Sequence, residues 1–226
     1  MSWFNTTLRK VLAAVSATLL VLSCGGIAWL HHVTLKDLQR EALSRTGGIT
    51  ATMSTQIDGG RVANLLDHYD LSRSLVKNTQ DPYFYVMHEN LRKCAELNAL
   101  EQPLTIVAFD QKGDELITVV TSAEAPRFRK KYTGPGRSAL IGYLATSRVD
   151  IASTNDDGSL VSFTALRDSR GRITSAITAS VPAASLSAIA IGKLWRNIGV
   201  AVLVFLVTGF ILFRSVGRWV PDESDP

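Results

Sequence analysis

The chain has 226 residues and a formal net charge of +4, and 46% of it is hydrophobic, but the apolar residues crowd toward the two ends. Residues 11–30 hold 20 positions without a charge and residues 197–213 another 17. This distribution excludes a freely soluble single domain; two cysteines are too few for a disulfide-stapled one, and the basic excess comes without a nucleic-acid signature.

At ~1.5 Å per residue the two apolar runs reach about 30 Å and 26 Å, enough for a hydrocarbon layer ~30 Å thick. Trp3, Trp29, Trp195 and Trp219 all lie beside their ends, where an indole prefers the headgroup region. Arg9 and Lys10 precede the first run, and Arg214 and Arg218 follow the second, so the positive-inside rule puts both termini in the cytoplasm. The expected organisation is a cytoplasmic N-terminus (1–10), a first transmembrane helix (11–32), an extracytoplasmic domain (33–192), a second transmembrane helix (193–213) and a cytoplasmic tail (214–226). A rival reading of the first run is a bacterial lipoprotein signal peptide, cleaved before Cys24; Leu22 and the continuing apolar Ile27-Ala28-Trp29-Leu30 argue against it.

After the first span, Leu35, Leu38, Ala42, Ile49, Met53 and Ile57 recur at three, four, seven, four and four, the spacing of one helical stripe. The stripe either packs on its own domain or forms a dimer seam. Gly47-Gly48 is expected to bend or weaken this helix. Gly59-Gly60 ends the pattern, and short helices are expected over 61–68 and 71–77. Asp81-Pro82 opens a stronger one, with Phe84, Met87, Leu91, Cys94 and Ala95 on its buried face, ending near Leu100. His88 shares that face and reads as a satisfied helix histidine, not a metal ligand, and Cys94 as a small apolar residue.

From Pro103 the pattern changes to strands. β-Branched runs at 104–109 and 115–121 flank the turn Asp110-Gln111-Lys112-Gly113-Asp114. A basic stretch, Arg127-Phe128-Arg129-Lys130-Lys131, precedes Gly134-Pro135-Gly136 and a short helix carrying Ala139, Leu140, Tyr143 and Leu144. Three further strands are expected at 149–154, 159–166 and 172–181, the last two joined by Arg167-Asp168-Ser169-Arg170-Gly171. The fold class is α+β: a long N-terminal helix, then a five-stranded antiparallel sheet with helices on one face, flanked by two transmembrane helices. Pro182 ends the last strand, and residues 183–196 lead as a helix into the second span.

No nucleophile elbow, phosphate-loop lysine, His-Glu-x-x-His or Cys-x-x-Cys occurs, so no enzyme activity, cofactor or metal is expected. His31-His32 reads as an interfacial pair. The helix start at Gly134–Arg137 and the neighbouring basic residues suit either an anionic group or a solvated loop near lipid headgroups.

The order of elements resembles an extracytoplasmic PAS-like sensor domain of the Cache type. The resemblance rests on the stripe 35–57, on Ile57-Asp58-Gly59-Gly60, on Ile106-Val107-Ala108-Phe109-Asp110 before Gly113, and on Ala139-Leu140 before Val149. It rests also on Val161-Ser162-Phe163-Thr164-Ala165-Leu166 with the Asp168-Ser169-Arg170-Gly171 turn before Ile173. It implies a small molecule held between the sheet and the helix-loop segments over it, with Tyr83, Tyr85, Thr121, Tyr132, Arg137, Tyr143, Asp150, Phe163 and Asp168 as candidate ligand-binding residues. Asp168 also has a purely local reading as the turn residue, and Phe163 as core. The Arg-x-Trp-Tyr type of motif that some amino-acid-binding members carry is absent after Tyr83-Phe84-Tyr85.

The expectation is therefore a two-pass sensory protein of a bacterial inner membrane, its central domain periplasmic or extracellular. It would act as a homodimer or with another membrane protein, and it would not bind nucleic acid. Only about 13 residues follow the second span, too few for an output domain, so the effector is a separate protein or a missing part of a longer receptor. The alternative is a scaffold or assembly factor whose outside domain binds another envelope protein.

Overall fold

The computed structural model describes the backbone of residues 2–69, 75, 77, 79–110, 115–125, 127–146, 151–156 and 158–216, and their side chains except at 2–17, 19–20, 24, 146, 201, 204–206 and 208–216. The described elements run α1 (Ser2–Gln56), α2 (Gly59–His68), α3 (Pro82–Leu97), β1 (Thr105–Asp110), β2 (Glu115–Thr121), β3 (Lys130–Lys131), α4 (Arg137–Thr146), β4 (Ile151–Asp156), β5 (Ser159–Arg167), β6 (Ile173–Pro182) and α5 (Ala183–Val216). The chain divides into two compact units, residues 1–37 with 187–226, and 38–186.

In the first unit, large apolar side chains face outward: Leu22 is 66% exposed, Trp29 69%, Trp195 67% and Leu203 62%. Among the described residues no helix is long and apolar enough to cross a membrane. The spans expected at 11–32 and 193–213 rest partly on residues whose side chains lie outside that description, and so does Cys24. The short helix expected over 71–77 likewise falls mostly outside the described residues.

The second unit is built on an antiparallel sheet in the order β3-β2-β1-β6-β5-β4. It has six strands and not five, because Lys130 and Lys131 pair with Thr118 and Ile117. Two exposed lysines show neither the length nor the alternation by which a strand is recognised in sequence. The helices lie on both faces, not one. Ile49, Met53 and Ile57 of α1, Val62 and Leu65 of α2, and Phe84, Met87 and Leu91 of α3 share one core with Ile106, Ala108 and Ile177. Alternate sheet residues Val107, Val161, Phe163, Ala165 and Ala176 turn the other way and pack with Leu140 and Tyr143 of α4.

α1 passes through Gly47-Gly48 as continuous helix. A glycine pair costs helix propensity of about 1 kcal/mol per residue, but tertiary packing outweighs it here. Ile49, Met53 and Ile57 are buried, and two hydroxyls one turn apart bond to β5: Thr46 Oγ1 to Ser162 Oγ at 2.7 Å and Thr50 Oγ1 to Thr164 Oγ1 at 2.8 Å. The lower part of the apolar stripe is thus core of its own domain, while Leu35, Leu38 and Ala42 are half-buried.

The α1–α2 junction follows from Ile57-Asp58-Gly59-Gly60. Asp58 caps α2 by accepting from the Gly60 N–H at 2.9 Å. Gly59 sits where a Cβ would meet Thr174 Oγ1 at 2.6 Å and the Arg167 carbonyl oxygen at 2.7 Å. Only glycine lets the start of α2 come this near to β5 and β6, and Thr174 Oγ1 donates to the Gly59 carbonyl at 2.9 Å. At α3, Asp81 accepts from the Phe84 N–H at 2.8 Å, with Pro82 in the first turn.

Candidate functional site

The eight candidate residues that the structure describes do not form one cluster. Tyr132, Tyr143 and Phe163 come together beneath α4, and there they pack against one another in the core. Tyr143 and Phe163 stack edge to face with centroids 4.8 Å apart, the Tyr143 hydroxyl accepts from the Ala165 N–H at 3.0 Å, and the Tyr132 hydroxyl donates to the Pro135 carbonyl at 3.0 Å. Burial pushes the Tyr132 phenol above its ordinary pKa. Thr121 is buried on β2; its hydroxyl is 3.4 Å from that of Thr105 and its carbonyl 2.8 Å from His88 Nδ1, which fixes the buried imidazole on α3.

Tyr83 lies apart, under the Arg61 guanidinium at 5.3 Å, beside an open hollow of about 350 Å³ lined also by Asn64, His68, Tyr69 and Asp81. Tyr85 is 42% exposed on α3, and Arg137 is exposed at the first turn of α4. Asp150 lies outside the described residues. Asp168 organises the β5–β6 turn: its carboxylate accepts from the N–H groups of Arg170 at 2.9 Å and Arg172 at 2.8 Å and from Arg172 Nε at 2.8 Å, while Gly171 takes φ +76°. Those donors, led by the Arg172 backbone N–H, hold its carboxyl below the usual carboxylate range.

The larger cavity lies elsewhere, at a split in the sheet. β1 and β6 pair only over Thr105–Val107 against Ala176–Thr178. Beyond Val107 the two central strands have no register with each other, although β1 continues to Asp110 and β6 begins at Ile173. Irregularities on both sides open the split: the β1–β2 register shifts between Ile106 and Val107, and the β5–β6 register between Leu166 and Arg167. A cleft of about 670 Å³ occupies the gap. Its walls include Ala63 and Leu66 of α2 from one face of the sheet, Ile141, Leu144 and Ala145 of α4 from the other, and Phe109 and Ile173 from the parted strands.

Both signs of charge reach this cleft, as Asp67, Asp110, Arg129 and Arg172. Arg129 has φ +52°, a left-handed backbone that a non-glycine residue takes at a cost of about 1–3 kcal/mol. Its guanidinium, 11% exposed, explains the strain. Nε donates to the Tyr69 carbonyl at 2.7 Å and Nη2 to the Leu66 carbonyl at 2.5 Å, so a cation closes the C-terminal end of α2, where the helix dipole favours one. Nη1 stands 3.7 Å from Asp110 Oδ2, within ion-pair reach and beyond a direct hydrogen bond.

None of the eight described candidates lines this cleft. Sequence reasoning misses it: the Ile106-Val107-Ala108-Phe109-Asp110 run serves only the family resemblance and the stretch containing Arg129 reads as a basic loop, and a missing strand pairing has no signature in a single sequence.

No family model and no curated protein matches this chain. Among solved structures, the chain is similar to the E. coli DcuS sensor domain, with a TM-score of 0.32 and 11% identity over 58% of this chain and 97% of that one. It is similar also to the periplasmic domain of RsbU from Chlamydia trachomatis, with a TM-score of 0.30 and 13% identity over 71% of this chain and 56% of that one.

Proposed function

We propose that the chain is a bacterial inner-membrane sensory protein: an extracytoplasmic PAS-like domain binds a small molecule in the cleft between α2 and α4 and signals through two transmembrane helices to a separate effector. The observation that carries this reading is the cleft itself. Its volume falls in the ~300–1,000 Å³ range of small-ligand sites, and apolar side chains share its lining about evenly with the polar groups of Asp67, Asp110, Arg129, Arg172 and Thr174. It touches the elements that lead to the membrane. Thr174, in the cleft wall, holds the Gly59 carbonyl at the α1–α2 junction, and β6 continues directly into α5. The outward Trp29, Trp195, Leu22 and Leu203 support the membrane assignment, since such apolar surface is unfavourable in water.

A ligand moves this device only by binding two arrangements unequally. The test is thermal unfolding of the full chain in lipid nanodiscs against a metabolite panel. A binder at 100-fold its Kd stabilises by about 2.7 kcal/mol; if no compound raises Tm, the sensory reading fails.

The second reading, a scaffold for another envelope protein, is favoured by β4. This six-residue strand is an outer edge of the sheet, alternately exposed, with Ile151 45% exposed. Crosslinking in native membranes separates the two, because a scaffold retains one stoichiometric protein partner without any added ligand.

A further inference from the structure

We infer that the ligand of the cleft is a short peptide, bound in extended form between β1 and β6 so that it completes the sheet. This rests on the sensory reading above and names the chemistry of its ligand. Three observations converge on it. The split runs three residues along each strand, 108–110 and 173–175, about 10 Å of extended chain, the length of a tripeptide. Walls from both faces of the sheet, Leu66 on one and Ile141 and Leu144 on the other, would meet side chains that alternate up and down, as those of a strand do and those of a compact metabolite do not. The β1–β6 ladder stops at Val107 and Ala176, so a backbone entering between the strands brings donors and acceptors to the stretch beyond.

The experiment is thermal unfolding of the full chain in nanodiscs with Ala-Leu-Ala as probe, beside its analogue N-methylated at the central amide, free leucine, and the general metabolite panel. Ala-Leu-Ala raises Tm by about 5–10 °C at 100-fold its Kd, N-methylation removes most of that shift, and leucine gives little. Ala145→Trp, an exposed position at the cleft, leaves the unliganded Tm near wild type and abolishes the peptide shift. Stabilisation that survives N-methylation, or by non-peptide metabolites alone, overturns the peptide inference and leaves the sensory reading standing. Failure of every probe overturns both.

Discussion

Thr50 Oγ1 lies 2.8 Å from Thr164 Oγ1 with both side chains buried, so a hydroxyl pair ties the long helix α1 to the middle of β5. One turn earlier Thr46 makes the same contact with Ser162. Four residues of helix rise ~6 Å and two residues of strand ~6.7 Å, so the two repeats match and the pairs line up as a ladder. Thr50→Val leaves the Thr164 hydroxyl buried and without this partner, at a cost of about 1–3 kcal/mol, whereas after Thr164→Val the Thr50 hydroxyl keeps its bond to the Gly47 carbonyl at 3.0 Å. Thr50→Val should lower Tm of the full chain in detergent by several degrees, Thr164→Val by less, and the double variant by clearly less than their sum. Additive losses would show that the pair is not coupled.

Gly59 and Gly142 should respond oppositely to alanine. At Gly59 the new Cβ meets the Arg167 backbone at 2.7 Å, so α2 must move away from the sheet; Gly59→Ala should destabilise by about 1–3 kcal/mol. Gly142 is interior to α4 with nothing within 4 Å of the added carbon, and Gly142→Ala should stabilise by about 0.5–1 kcal/mol. Thermal melts of both variants check the contrast.

Tyr143 is a core residue with a polar duty. Tyr143→Phe keeps the ring against Phe163 but removes the acceptor for the Ala165 N–H, and should cost about 1–3 kcal/mol. Ligand affinity at the split in the sheet should stay within about twofold of wild type, since Tyr143 does not line it. Titration of the variant with any compound that stabilises the wild type measures this.

Asp168 sets an acid limit on the β5–β6 turn. Its carboxyl is held low in the fold, so its contribution is present above the ordinary unfolded value near ~3.9 and is lost as pH falls through the depressed folded value. Tm measured between pH 2.5 and 6 should fall at the acid end for the wild type, and this acid-side loss should be smaller in Asp168→Asn. Equal slopes would remove Asp168 from the account.

Much of the domain was readable from local chemistry. The Asp81-Pro82 start of α3, the Asp168–Gly171 turn and the five longer strands depend on neighbours in sequence, and they are found within a few residues of where those neighbours put them. Lys130–Lys131 escaped because its pairing is with β2 alone, and continuity of α1 through Gly47-Gly48 depends on the hydroxyls of β5, more than a hundred residues away. Choosing aromatic residues as ligand contacts favoured Tyr132, Tyr143 and Phe163, which are large enough to fill the core beneath α4 themselves. The cleft arises where two strands fail to pair, and no single residue type marks that event.

Hydrogen exchange of the full chain in nanodiscs, with and without a stabilising compound, tests the sensory account most directly. The account predicts new protection at 108–110 and 173–175, at the two sides of the split, together with a change at 46–53 where α1 meets β5. Protection confined to the β4 edge at 151–156, or none in any segment, would contradict it.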